Sequence, residues 1–522
     1  MGAMWRTDRD ASSPTTARAL LAALALSALA LVLFASFASE VKNPLATFDW
    51  NLDTGKLSQW RQDLFSVQSA SAAAIPSQQQ CGISPELVQE FGAHNFRLSQ
   101  VHVGSGFRMQ KVLAKAQRGE KVRIGVIGGS VSLGHGTDPV TGQRNKYGAV
   151  KPEDQWHQFV RKYLADLSGV EPEFIMGAKA ATDSSFFEWC WATLIGTELD
   201  LVLVELAVND DYRDGFDSAE NLLRSLLQLE TQPAVLYADT FALGWTSTRS
   251  SIIGAQDYQS SLASWYDVPQ IGTRGALLTA MIRDPSLREP LFLSDVRHGS
   301  VKVHRFLGSM IVGYMQQELC RIDPLVLDGP EEEIEEADID LTEEEQARRW
   351  RRKRGLEGEF AWPTAEGLGE VPRVKMNEAW NADVSHPVKA PVCEVAGGAL
   401  KPVNDSKDWT LFNWKYSKYY YETKKANSEE IVFEAEVKEG ATGQVAVSYL
   451  RSKQYNLGKA RCSVGKQTAV LDGFWTQSAS VAQTMVVAKN LPPGKHTVSC
   501  RTLPANAGEQ ATAFRLMGVM TV

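Results

Sequence analysis

The sequence has few cysteines and no excess of basic residues. Only six cysteines occur in 522 residues, and no two of them have the C-x-x-C spacing of a structural zinc site. Lysine and arginine number 54 against 62 aspartates and glutamates, a formal net charge of −8. This composition argues against a disulfide scaffold, a zinc-stabilised domain and a nucleic-acid partner. With 44% hydrophobic and 22% charged residues, the chain can form more than one globular core.

One long run without charge is present near the N-terminus, from Ala19 to Ala38. About twenty apolar residues suffice for a helix to cross a hydrocarbon core. Three arginines precede the run, so the positive-inside rule predicts a cytosolic tail at residues 1–18 and a lumenal or extracellular remainder. We interpret residues 19–38 as the transmembrane signal anchor of a single-pass type II membrane protein of the secretory pathway. The alternative is a signal peptide cleaved near residues 35–38, which gives a secreted protein.

Composition divides the rest of the chain into four parts. Residues 39–80 form a polar stem rich in alanine and serine. Residues 81–327 alternate short β-branched runs with longer helical ones, which predicts an α/β domain with a parallel sheet. Residues 328–392 form a charged linker, in which a block of acids precedes a block of bases. Residues 393–522 contain short runs of alternating polarity between turn residues, which predicts an all-β sandwich domain.

The periodicity also predicts individual elements. In the α/β part, strands are expected at residues 122–127, 173–176, 201–207, 234–238 and 268–271. Helices are expected between them, at residues 108–118, 155–167, 218–229, 256–265 and 301–319. In the sandwich, strands are expected at residues 431–437, 444–450, 469–471, 484–488, 496–500 and 514–522.

Three polar groups follow strands or precede a helix of the α/β part. Ser130 comes directly after Gly128 and Gly129, where the first strand breaks into a turn, and Asn209 follows the third strand. The carboxyl edge of a parallel sheet is where such folds bind ligands, and a serine and an amide there can act on an ester and stabilise an oxyanion. Asp295 lies three residues before His298, close enough to orient its imidazole.

These groups resemble a known superfamily. Gly128-Gly129-Ser130, Ala207-Val208-Asn209-Asp210 and Asp295-Val296-Arg297-His298 are similar to the first, third and fifth blocks of the SGNH (GDSL-type) hydrolases. Longer stretches, among them RMQKVLAKAQRGEKVRIGVIGGSVSLGHG and SDVRHGSVKVHRFLG, resemble the capsule-associated-like SGNH proteins of basidiomycete fungi. The likeness covers most of residues 81–522. It implies a three-layer α/β/α domain of SGNH type, followed by a β-sandwich.

The resemblance assigns roles to individual residues. It implies that Ser130 is the nucleophile, that His298 is the general base and acid, and that Asp295 orients His298. The oxyanion hole then comprises the Ser130 backbone N–H and the Asn209 side chain. Gly177 is a partial candidate for the third donor. No cofactor or metal is implied.

The sequence departs from the superfamily pattern at several positions. Asp183 stands where relatives tend to have glycine, and its carboxylate would oppose a developing oxyanion. Gly129 replaces the acidic residue of the GDS form, and Val303 replaces the usual glycine before His304, which is preserved as a structural neighbour. These departures leave reduced or specialised activity open.

Some other residues have two interpretations each. His135 and Ser132 either line the mouth of the site or are ordinary turn residues. The aromatic residues of the sandwich either stack on sugar rings or pack in the core; they are Trp409, Trp414, Tyr416, Tyr419, Tyr420, Tyr421 and Trp475.

Disulfides are expected in a lumenal compartment. Cys462 and Cys500 could form one, and Cys190 and Cys320 stand where the resemblance favours disulfides over reactive thiols. Asn404-Asp405-Ser406 is a glycosylation sequon.

The function expected from these observations is a lumenal or extracellular serine esterase. Its substrate would be an acylated polysaccharide or glycan, with O-acetyl as the expected acyl group. Two alternatives remain open: a polysaccharide O-acetyltransferase that uses the same residues, and a catalytically inactive glycan-binding or assembly protein.

Overall fold

The fold comes from a computed structural model of the chain. It describes residues 82–135, 151–211, 215–243, 252–293, 295–322, 369–384, 386, 391–414, 418–476, 480–504 and 511–522. The predicted transmembrane segment, residues 19–38, lies outside these ranges. Within them, no helix is both long and apolar enough to span a bilayer.

A six-stranded sheet forms the centre of the first half. Its strands are β1 (Gln100–His102), β2 (Arg123–Gly128), β3 (Glu173–Met176), β4 (Leu201–Glu205), β5 (Ala234–Asp239) and β6 (Gln270–Gly272). Their order in the sheet is β1-β6-β5-β4-β2-β3. Strands β2 to β6 are parallel, as predicted, and the short edge strand β1 pairs antiparallel with β6.

Helices cover both faces of this sheet. They are α1 (Pro85–Phe91), α2 (Ala93–Ser99), α3 (Phe107–Gln117), α4 (Trp156–Ser168), α5 (Ser184–Ile195), α6 (Phe216–Leu227), α7 (Ala255–Trp265), α8 (Arg274–Arg283), α9 (Arg288–Leu291) and α10 (Val301–Leu319). Two separate apolar clusters lie on the two sides of the sheet, one built around α5, α6 and α7 and the other around α3, α4 and α10. This is the expected α/β/α arrangement.

The second half is all β. Its strands are β7 (Val392–Val395), β8 (Thr410–Asn413), β9 (Tyr419–Thr423), β10 (Ile431–Val437), β11 (Val445–Arg451), β12 (Lys459–Val464), β13 (Gln467–Asp472), β14 (Val481–Ala488), β15 (Gly494–Thr502) and β16 (Phe514–Thr521). One sheet has the order β10-β15-β12-β13 and the other β14-β11-β16-β9-β8, with β7 also paired to β16. The alternation of buried and exposed residues along β10 is the period-two pattern that predicted it.

The two halves share a core. The apolar cluster around α5 also includes Ala446, Met520 and Val522 from the β half. A disulfide joins Cys190 of α5 to Cys393 of β7. The expected Cys462–Cys500 disulfide is formed between paired strands, and none of the cysteines in the described ranges is free.

Part of the predicted linker packs on the α/β half. Residues 369–384 run along α6 and α7, where the Met376 N–H donates to the buried Glu220 carboxylate and Arg224 donates to the Pro372 carbonyl. Residues 369–384 of the predicted charged linker are therefore packed against the α/β half. The cause is tertiary, because buried polar groups of α6 need partners from outside their own helix.

The aromatic residues of the β half are largely packing residues. Trp409, Tyr420 and Tyr421 are buried, and Trp409 donates its ring N–H to the Glu429 carbonyl. Tyr416 lies outside the described residues. Asn404 of the sequon uses its side-chain amide to bond the backbone beside β10, donating to the Glu430 carbonyl.

Candidate active site

Parallel pairing of β2 with β4 brings the predicted site residues to one edge of the sheet. Gly128, the last residue of β2, lies opposite Glu205, the last residue of β4. Ser130 follows the first and Asn209 the second, so both lie beyond the carboxyl ends of neighbouring strands. Asp295 and His298 reach the same edge from the turn before α10, whose N-cap is Ser300.

Ser130, His298 and Asp295 form a continuous series of hydrogen bonds. The Ser130 Oγ lies 2.7 Å from the His298 Nε2, and the His298 Nδ1 lies 2.6 Å from the Asp295 Oδ2. A serine hydroxyl bonded to an imidazole, which is bonded in turn to a carboxylate, is the arrangement that can activate the hydroxyl as a nucleophile. Residues 130 and 298 are 168 positions apart, so only the fold brings them into contact.

The Asp295 carboxylate is held as an anion by its own turn. Its Oδ1 accepts the backbone N–H groups of Arg297 and His298 at 3.0 and 3.1 Å. Burial alone would raise the pKa of Asp295, but these bonds and the His298 side chain lower it well below its usual range. Val296, inside the turn, has a φ of 52°, which is unusual for a β-branched residue. Its carbonyl is fixed by the Leu243 N–H at 2.8 Å.

Asn209 lies against the glycine before Ser130. It is 8% exposed. A Cβ added to Gly129 would lie 2.5 Å from the Asn209 Oδ1 and 2.8 Å from its Nδ2, so only glycine fits there without moving the amide. The amide therefore lies beside the Ser130 turn, where it can act as an oxyanion donor.

Gly177 does not have the expected role. Its N–H donates to the Val126 carbonyl at 2.9 Å and extends the pairing of β2 with β3, so this N–H is already used. A Cβ there would lie 2.5 Å from the Ile195 side chain. Gly177 is therefore a packing glycine, and its prediction as an oxyanion donor is wrong.

Asp183 begins α5. It is the N-cap residue of that helix, and its Oδ1 accepts the Ser185 hydroxyl at 2.6 Å. Burial, together with the nearby Asp210 charge, raises the pKa of Asp183 to about 7. Near neutral pH this carboxyl is therefore partly protonated, which weakens the charge repulsion that the sequence suggested.

His135 and Ser132, the other two candidates near Ser130, differ in burial: His135 is half-buried and Ser132 is fully buried. The His135 ring lies 5.4 Å from that of His298, and the His135 backbone N–H donates to the Ser130 carbonyl. Burial, the His298 charge and the Lys418 charge from the β half lower the pKa of His135 to about 4. Ser132 is fully buried, so it does not line the mouth.

Behind the site, His304 is buried too. Its Nδ1 accepts the backbone N–H of Trp156 at 3.4 Å, in agreement with a structural role. Val303 packs against Gly299.

Glu205 supports the site, although the sequence analysis did not single it out. It is fully buried at the end of β4 and accepts the hydroxyls of Ser132 at 3.0 Å and Thr240 at 3.1 Å. The Gly129 N–H also donates to it. Burial raises the pKa of Glu205 to about 8. The signal was available, because a glutamate inside the apolar run LVLVELA needs a buried partner.

No cluster of three metal-ligating side chains occurs within the described ranges. The site as described therefore consists of a hydroxyl, an imidazole, a carboxylate and an amide.

Comparisons with known proteins identify the fold. No family model and no curated protein matches the chain. Among solved structures, it is similar to a two-domain esterase active on acetylated mannans, with 15% identity over 82% of this chain and 97% of that one and a TM-score of 0.52. A second crystal structure of that esterase matches with the same TM-score, over 98% of its chain. At this identity the match confirms the fold, an α/β half with a parallel sheet followed by an all-β half.

Proposed function

We propose that this chain is a serine esterase that removes O-acyl groups, with O-acetyl as the expected group, from a polysaccharide or glycan. The observation that carries the proposal is the series of hydrogen bonds from Ser130 through His298 to Asp295. A fold shared with an esterase active on acetylated mannans supports this class of substrate.

The reaction follows from the positions of the groups. Ser130 gives its proton to the His298 Nε2 as its Oγ bonds to the ester carbonyl carbon, and the carbonyl oxygen becomes an anion. The Ser130 N–H and the Asn209 amide stabilise that anion. His298 then returns the proton to the sugar oxygen, which leaves as an alcohol. An acyl group remains on Ser130.

Water completes the cycle. His298 takes a proton from a water molecule, whose oxygen attacks the acyl carbon, and the Ser130 Oγ leaves with the proton held on His298. The products are free acid and unmodified enzyme. Asp295 keeps the imidazole in the required tautomer throughout and stabilises its charged form.

The location of this activity is part of the proposal. We assign residues 19–38 to a signal anchor, residues 1–18 to a cytosolic tail and residues 39–522 to the secretory lumen or the cell surface. The Cys190–Cys393 and Cys462–Cys500 disulfides support an oxidising compartment. Protease added to intact vesicles tests this orientation. It should leave residues 39–522 intact, whereas it would degrade them if the orientation were the opposite one.

The esterase proposal is tested with the purified full-length protein. Wild type is expected to release acetate from acetylated mannan and to hydrolyse an aryl acetate, whereas Ser130→Ala is expected to lose both activities. Ser286→Ala is the matched control, because Ser286 is exposed and its hydroxyl donates to Asp284 at 2.6 Å. A fluorophosphonate probe should label wild type but not Ser130→Ala. Equal activity in Ser130→Ala and wild type would refute the proposal.

A further inference from the structure

The loop between β3 and α5, residues 177–183, runs beside the nucleophile. The Lys179 N–H donates to the carbonyl of Gly128, two residues before Ser130, at 2.9 Å. The Thr182 hydroxyl donates back to the Lys179 carbonyl at 2.6 Å. The backbone of this loop is therefore tied to the turn that carries Ser130.

The loop contains an alanine in the left-handed region. Ala181 has a φ of 62°. A side chain at positive φ crowds its own backbone, so alanine avoids this region and glycine does not. Such a conformation persists where the surrounding structure holds it. Its φ sets the direction of the neighbouring peptide groups, and so the course of the loop that is tied to the Ser130 turn.

The contact that holds Ala181 comes from the β half. The Ala482 N–H donates to the Ala181 carbonyl at 2.9 Å. Ala482 belongs to β14, an edge strand whose other side pairs with β11. In an antiparallel pair, alternate residues point their backbone groups away from the partner strand, and Ala482 is one of these. This hydrogen bond therefore joins strand β14 of the sandwich to the loop of the α/β half.

We propose that strand β14 of the sandwich positions the site: Ala482 is a positioning residue that acts through Ala181 on the loop beside Ser130. The inference rests on the esterase function proposed above and extends it. The β half is then a part of the catalytic apparatus, besides any contact that it makes with a glycan. The Cys190–Cys393 disulfide, at the helix that follows the loop, fixes the same two halves to each other.

The test removes this one bond. Ala482→Pro deletes the N–H at an outward-facing position of an edge strand, where proline leaves the ladder to β11 intact. We expect kcat for 4-nitrophenyl acetate to fall about 10- to 100-fold with little change in KM, because the loop shifts while the small ester keeps its contacts. Thr484→Pro is the matched control. Thr484 lies two residues along the same edge, and its replacement is expected to leave kcat unchanged.

Two substitutions at Ala181 test the proposal further, and the first of them does not depend on how well Ala482→Pro folds. Ala181→Val leaves β14 intact but disfavours positive φ, so kcat is expected to fall. Ala181→Gly placed in Ala482→Pro is expected to recover kcat about tenfold, because glycine adopts positive φ without the strain that alanine has there. A purely structural role would lower the melting temperature without this pattern in kcat.

The outcomes separate the two proposals. If Ala482→Pro and Ala181→Val are folded, as judged by thermal melting, and both have wild-type kcat, the positioning role is overturned and the esterase proposal stands. A wild-type protein that hydrolyses no ester would count against the esterase function itself.

Discussion

Substituting Gly129 by alanine should displace the Asn209 amide and little else. The added Cβ would lie 2.5 Å from the Asn209 Oδ1, and ordinary contact begins at 3.4 Å, so the amide must move by about 0.9 Å. Gly129 does not have a positive φ, so alanine fits its backbone. The atoms in the way are the end of a side chain, which can shift at little cost in stability. The loss should therefore appear in catalysis and not in folding.

The size of the loss follows from the role of the amide. A misplacement of about 1 Å in a catalytic group costs on the order of 10²-fold in rate, which corresponds to about 2.7 kcal/mol in the activation free energy. We expect kcat of Gly129→Ala for an aryl acetate to fall by about this factor, with KM and melting temperature near those of wild type. Steady-state kinetics and thermal melting of the same preparation measure both.

A double-mutant cycle tests the physical reason. Asn209→Ala removes the amide and should itself lower kcat by about 10² to 10³. In that background Gly129→Ala has nothing left to displace, so the double variant should have the kcat of Asn209→Ala. If the two losses multiply instead, alanine acts through the Ser130 turn, and the argument from the amide is refuted.

Three further predictions concern the surrounding groups. Asp295→Asn should lower kcat by about 10³ to 10⁴ with little change in KM, because the imidazole loses the partner that sets its tautomer. Steady-state kinetics measure this, and a kcat near that of wild type would contradict it. Burial raises the pKa of Glu205 from its ordinary value of 4.5 to about 8 in the folded protein. Its contribution to the free energy of unfolding is therefore full below pH 4.5 and is lost as the pH rises towards 8, by up to about 1.4 kcal/mol per pH unit. Glu205→Gln should therefore gain melting temperature relative to wild type between pH 5 and pH 8, and parallel pH profiles would contradict the assignment. Replacing both Cys190 and Cys393 by alanine removes a disulfide between residues 203 positions apart, and it should lower the free energy of unfolding by about 2–5 kcal/mol. Urea denaturation measures this, and an unchanged midpoint would contradict it.

Within the described residues, local signals in the sequence predict five of the six strands of the first sheet, five of the ten helices and six of the ten strands of the β half. Helix α10 was predicted at its observed bounds, residues 301–319, and strand β10 at residues 431–437. Most other predicted elements differ by one to three residues at their ends. These features depend on neighbours within a few positions, so a periodicity of 3.6 or 2 residues is enough to reveal them. Helix α5 was missed, because it is apolar on nearly all sides and has no amphipathic period.

The candidate site was predictable to the extent that its residues stand at strand ends. Ser130 and Asn209 were identified because the carboxyl edge of a parallel sheet collects such groups, and His298 because Asp295 lies within one turn of it. The resemblance to SGNH hydrolases then assigned their roles, which remain proposals. The assignment of Gly177 was wrong, because the sequence does not reveal that its N–H bonds to Val126.

The sequence by itself determined the α/β and all-β halves and a short set of candidate residues. Only the tertiary structure decided that Cys190 pairs with Cys393, that Glu205 supports the Ser130 turn, and that Ala482 bonds to Ala181. These contacts join residues 73 to 301 positions apart or depend on the burial of a single side chain. A periodicity records which face of an element is buried, whereas it carries no information about which distant group meets that face.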